Sequence, residues 1–127
     1  MASLLVRPLI PASGTMGVMR SWSPKHWLAV GLASFLGTFC AYFVGFASPG
    51  LDLPEKCELT GEAYNIIPGS AKHLQGQQFF PLHAWCNGSY DLVPAWVNPA
   101  VVVFGLLTLT AVACSIASAA RRRLLGA

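Results

Sequence analysis

Residues 27–47 read WLAVGLASFLGTFCAYFVGFA, 21 positions from Trp27 to Ala47 without a charge. A helix of that length spans about 32 Å, against about 30 Å for the hydrocarbon core of a bilayer. An uncharged apolar run of about 18 residues or more is the pattern of a transmembrane helix. Residues 100–120 repeat it as AVVVFGLLTLTAVACSIASAA, again 21 uncharged positions. The two runs predict an α-helical membrane protein with two antiparallel transmembrane helices.

Outward from the spans the chain divides into an N-terminal arm (1–26), a connecting loop (48–99) and a basic tail (121–127). Proline and glycine mark the joints: Ser23-Pro24 before the first span, Pro49-Gly50 after it, Asn98-Pro99 before the second. Pro suits the first turn of a helix, where its missing N–H costs nothing. Trp22, Trp27 and Trp96 fall near span ends, where indole rings prefer the interface. Gly45-Phe46-Ala47 loosely matches a small-x-small cleavage site. A signal peptide's apolar region has only about 7–15 residues, so an uncleaved anchor is expected.

Composition follows from this map. The 127-residue chain is 54% hydrophobic and 10% charged, with a mean hydropathy of +0.55, whereas a soluble domain carries about 25% charged residues. The net charge of +3 conceals an asymmetry. Arg7, Arg20 and Lys25 give the arm +3, and Arg121, Arg122 and Arg123 give the tail +3. Against these, Asp52, Glu55, Glu58, Glu62 and Asp91 outweigh Lys56 and Lys72, so the loop carries −3. Basic flanks stay on the cytoplasmic side. Both termini are therefore expected in the cytoplasm and the loop outside, in a plasma (inner) membrane. Arg121, Arg122 and Arg123 are also expected to touch anionic headgroups.

Of the four cysteines, Cys40 and Cys114 lie in the spans as small apolar fillers. Cys57 and Cys86 lie in the loop. In an oxidising compartment they are expected to pair, closing about 30 residues for about 3–4 kcal/mol on the chain-entropy model. A loop of this size needs such a staple, because it has little core of its own. The competing assignment is a loop-based thiol or metal-binding enzyme using Cys57, Cys86, His73 and His83, a zinc-compatible set with poor spacing. Residues 79–93 suggest a β-hairpin turning at Asn87-Gly88, since Asn-Gly suits the positive φ of a tight type I′ turn. Alternation then sets Phe80, Leu82, Ala84 and Cys86 on one face. Pro81 confines that strand to an edge. Asn87-Gly88-Ser89 also matches a glycosylation sequon, although turn chemistry alone explains it.

Within the first span Ala29, Ala33, Gly37, Ala41 and Gly45 recur every four residues. Phe35, Phe39, Tyr42 and Phe46 fall opposite, toward lipid or another protein. Small residues let helix backbones approach closely. The expected contact is Ala33 and Gly37, within the stripe that runs on to Ala41 and Gly45, against Ala111 and Ser115. Thr38, Thr108 and Thr110 are expected to bond to their own helix backbone.

Neither span carries Asp, Glu, Lys, Arg or His, the groups that ion pathways and intramembrane catalysis require. Phosphate loops, H-E-x-x-H and G-x-S-x-G are all missing from the sequence. The expected function is non-catalytic: an accessory or scaffold subunit that binds a membrane-protein partner or self-associates, with no cofactor, metal or nucleic acid. A self-assembling, holin-like membrane protein is the other alternative.

Overall fold

The computed structural model describes residues 22–126. Residues 1–21, most of the expected N-terminal arm, and residue 127 lie outside the described part. Among the described residues four helices follow in order: α1 (Pro24–Ala47), α2 (Leu53–Leu59), α3 (Ala71–Gly76) and α4 (Val97–Gly126). Both α1 and α4 are long and apolar enough to cross a membrane. They run antiparallel and are the only helix pair, among the described residues, in extensive contact.

The ends of α1 follow local chemistry. Ser23 holds the N-cap position with extended dihedrals and Pro24 starts the helix. At the other end Ser48 Oγ donates to the Val44 carbonyl at 2.7 Å. Gly50 then takes a left-handed φ of 67° and returns its N–H to the Ala47 carbonyl. A residue with a Cβ would be strained there. The second helix runs beyond the expected 100–120. It begins at Val97 and carries Arg121, Arg122 and Arg123 in helix as far as Gly126, because Arg and Leu favour helix and nothing breaks it before that glycine.

The seam differs from the small-residue stripe. The buried residues of α1 are Gly31, Ser34, Ala41 and Gly45, with Thr38 half-buried between them. On α4 they are Val97, Ala111 and Ser115, with Val101 and Thr108 half-buried. On α1 these steps alternate between three and four, and on α4, with the half-buried Gly105 included, each step is three or four, the mix that keeps a seam facing its partner helix. A strict four-residue line advances about 40° past a full turn at each step and leaves the seam. Ala29 and Ala33 are accordingly exposed.

The register differs too. A Cβ placed on Gly31 would stand 3.4 Å from Ala111 Cβ, and one on Gly37 3.1 Å from the Phe104 ring. One on Gly45 would stand 2.7 Å from both Leu82 and Val97. The expected pairing of Ala33 and Gly37 with Ala111 and Ser115 is thus corrected. Gly31 meets Ala111, and the other glycines make room for bulky side chains rather than for small ones. Cysteines in a disulfide hold their Cβ atoms about 3.5–4.5 Å apart. With Cys40 and Cys114 replaced by alanine, Gly31→Cys with Ala111→Cys is expected to cross-link under mild oxidation and Ala33→Cys with Ala111→Cys is not. Band shifts on non-reducing gels check this, and the opposite result would refute the register.

The hydroxyls of Thr38, Thr108 and Thr110 donate to the carbonyls of Ser34, Phe104 and Leu106, each four residues back. Phe35, Phe39 and Phe46 are exposed. Tyr42 departs from that group: it packs against the core formed by Leu82, Ala84, Val93 and Val97. This core joins the connecting loop to the adjoining ends of both long helices.

Candidate functional site

The connecting loop holds most of the chain's chemistry-bearing side chains. Its first part is α2, opened by Asp52 and Pro54 and ended by Gly61 at φ 82°. Pro68-Gly69 turns the chain, with Gly69 at φ 81°, into α3. There Ser70 Oγ accepts from the His73 N–H at 3.3 Å.

Cys57 on α2 is bonded to Cys86, with Cα atoms 5.6 Å apart, and both residues are fully buried. The thiol or metal set of Cys57, Cys86, His73 and His83 therefore loses two of its four members to the disulfide. His73 instead lies beside the Gln77 amide, its Nε2 at 3.1 Å. No group of three His, Cys, Asp or Glu among the described residues is arranged to hold a metal ion.

The β-hairpin expected over 79–93 is not formed; one isolated antiparallel bridge joins Trp85 and Asp91. Two bonds link the arms: the Cys86 N–H to the Tyr90 carbonyl and the Leu92 N–H to the Ala84 carbonyl, each at 2.9 Å. The ladder stops there because side chains take the backbone groups that a strand would use. Asn98 donates Nδ2 to the Leu82 carbonyl at 3.0 Å and accepts the Leu82 N–H at 2.8 Å. Pro81 has no N–H to offer. Alternation still holds for burial: Leu82, Ala84 and Cys86 point inward while His83 and Trp85 are half-buried.

The turn itself is built differently from a type I′ turn. Neither Asn87 nor Gly88 has a positive φ. Asn87 Oδ1 accepts the N–H groups of Ser89 and Tyr90, both at 2.9 Å. An Asn side chain that replaces a backbone acceptor in this way closes a turn without left-handed residues. The sequon amide is also engaged, since Asn87 Nδ2 donates to Glu62 Oε2 at 2.8 Å.

Asp91 organises the space inside the turn. One carboxylate oxygen accepts the Ala84 and Val93 N–H groups at 2.8 and 2.9 Å. The other lies 2.6 Å from His83 Nδ1. His83 stacks on Trp85, ring centroids 5.5 Å apart. Lys72 Nζ sits 3.3 Å from the Trp85 ring centroid, and the indole N–H donates to Gln75 Oε1 at 3.1 Å. These contacts fasten α3 over the turn. A carboxylate that orients a histidine also occurs in catalytic sites; this one also accepts two backbone amides and so braces the turn.

Sequence patterns gave Asp91 and Asn98 no bonding role and did not show the Lys72–Trp85 contact. Asp91 did carry a signal, being a lone acid inside the apolar stretch Tyr90 to Val93. Of the expected site residues, the structure joins Cys57 to Cys86 and buries Ala41, Gly45, Ala111 and Ser115. It leaves Ala33 exposed, and Arg121, Arg122 and Arg123 exposed on the last turns of α4. No protein-family model, curated protein or solved structure matches the chain.

Proposed function

We propose that the chain is a small two-span integral membrane protein of the plasma membrane, with both termini in the cytoplasm and the braced loop outside. It acts without catalysis, as an accessory or scaffold subunit that holds a membrane-protein partner. The observation that carries this is the exposed surface of α1 and α4. Their mutual seam is narrow, and Leu32, Phe39, Leu109 and Ile116 remain 61–68% exposed. A helix pair apolar on every side calls for lipid or other helices around it.

Two further observations agree. The acids of the loop and the arginines at the end of α4 lie at opposite ends of the pair, as a cytoplasmic tail and an outer loop would. The disulfide fits an oxidising compartment. The exposed Phe35 and Phe39 on α1 are the surface assigned to the partner.

Purification from native membranes in mild detergent tests this. One membrane protein is expected at matching amounts, and it is expected to be lost when Phe35 and Phe39 are both changed to alanine. A chain that purifies alone would overturn the scaffold role. A ring of its own copies that leaks ions from vesicles would replace it with the holin-like alternative.

A further inference from the structure

We infer that the segment Gln78–Phe80 is a lipid anchor: Phe79 and Phe80 insert among the outer-leaflet lipids beside α1 and hold the loop flat on the membrane. This rests on the two-span architecture proposed above. The starting point is depth. The Tyr42 hydroxyl donates to the Phe79 carbonyl at 2.9 Å. Tyr42 lies five residues before the last residue of α1, about 7.5 Å down the helix axis. The segment therefore packs beside the last turns of α1, where Gly45, Phe46 and Pro49 line the same crevice as Phe79. Phe79, Phe46 and Tyr42 line one small crevice together, so the exposed rings of the loop continue the exposed rings of α1.

The side chains suit lipid. Phe79 is 84% exposed, the most exposed phenylalanine among the described residues, and Phe80 is 45% exposed. No Asp, Glu, Lys or Arg occurs between Lys72 and Asp91, so insertion desolvates no charge. Four of the five acids lie in the 52–62 part of the loop. Trp96, just before α4, is also exposed and extends the aromatic fringe that marks membrane interfaces.

Part of the backbone, the Phe79 carbonyl and the two polar groups of Leu82, is prepared for the same surroundings. Polar main-chain groups near hydrocarbon need partners within the protein. Here Tyr42 takes the Phe79 carbonyl, Asn98 takes both polar groups of Leu82, and Pro81 has no N–H. The segment is also held at both ends. The Gln77 and Gln78 N–H groups bond to the carbonyls of Leu74 and Gln75 in α3, and Asn98 clamps Leu82 to the start of α4.

The test uses the full chain with Cys40→Ala and Cys114→Ala, disulfide intact, in phosphatidylcholine–phosphatidylglycerol vesicles. A bimane label goes on Phe79→Cys, Phe80→Cys, Phe46→Cys or Glu58→Cys, one at a time. Phe79 and Phe80 labels are expected to show blue-shifted emission, quenching by lipid-borne nitroxide near the headgroup, and loss of quenching by iodide. The Glu58 label on α2 is expected to be quenched by iodide, and the Phe46 label by lipid nitroxide. Iodide quenching at Phe79 and Phe80, with Phe46 still in lipid, would overturn the anchor and leave the two spans standing. Shielding of Phe79 and Phe80 from both quenchers would overturn it in favour of a protein contact. Iodide quenching at Phe46 would remove the two-span architecture, and the anchor with it.

Discussion

Changing Cys57 and Cys86 together to serine is expected to destabilise the connecting loop by about 3–4 kcal/mol while leaving α1 and α4 paired. The loss has two sources. The bond closes a loop between residues 29 apart in sequence, so removing it returns chain entropy to the unfolded loop. It also ties down α2, a helix of seven residues that packs Leu53 on the core but makes no extensive contact with any other helix. A helix so short is not stable alone. Both cysteines are fully buried, so two serine hydroxyls would be left in their place and penalised as well. The near-ultraviolet signal of Trp85 and Trp96, followed through a thermal melt in detergent, would report the loop. Cross-linking between Gly31→Cys and Ala111→Cys would report the helix pair. A melt unchanged by the double substitution would show that the core of Leu82, Ala84, Val93 and Val97 suffices without the staple.

What could be read from the residues alone divides along the range of the forces involved. The two uncharged runs were legible because helix length and hydropathy are properties of each segment by itself. The pairing of Cys57 with Cys86 was legible because the loop holds only those two cysteines. The helix seam was not. A regular stripe such as Ala29-Ala33-Gly37-Ala41-Gly45 describes one helix, but which line is buried depends on the partner's bulk. Phe104 and Val97 settle over Gly37 and Gly45, which leaves Ala33 outside. The hairpin failed for a similar reason. Asn87-Gly88 marks a turn and the alternation of Leu82, Ala84 and Cys86 marks burial, yet a strand needs free backbone groups. Asn98 occupies those of Leu82 from 16 residues away. Asp91 likewise satisfies Ala84 from seven away. Side-chain bonds across such distances leave no local pattern.

Asp91→Ala is expected to cost about 2–4 kcal/mol, because it strips the acceptor from two backbone N–H groups whose residues are buried. Ala84 and Val93 both belong to the core, and each donates to the same Asp91 oxygen at 2.8–2.9 Å. Nothing else is seen to accept from them. His83 loses its partner too, which loosens the stack on Trp85 and with it the hold of Lys72 and Gln75 on α3. Asp91→Asn keeps one acceptor oxygen for the two amides and changes only the group that faces His83 Nδ1, so its cost is expected to be about 1 kcal/mol. Hydrogen exchange at the Ala84 and Val93 amides separates the two variants: fast in the alanine form, near native in the asparagine form. Equal exchange in both would show that the charge, not the shared acceptor, holds the turn. The same amides also measure coupling to the staple. Cys86 and Asp91 brace one turn, so their losses are not independent. With Cys57 and Cys86 already changed to serine, Asp91→Ala is expected to cost less than it does alone, since a turn that has opened has less left for the carboxylate to hold.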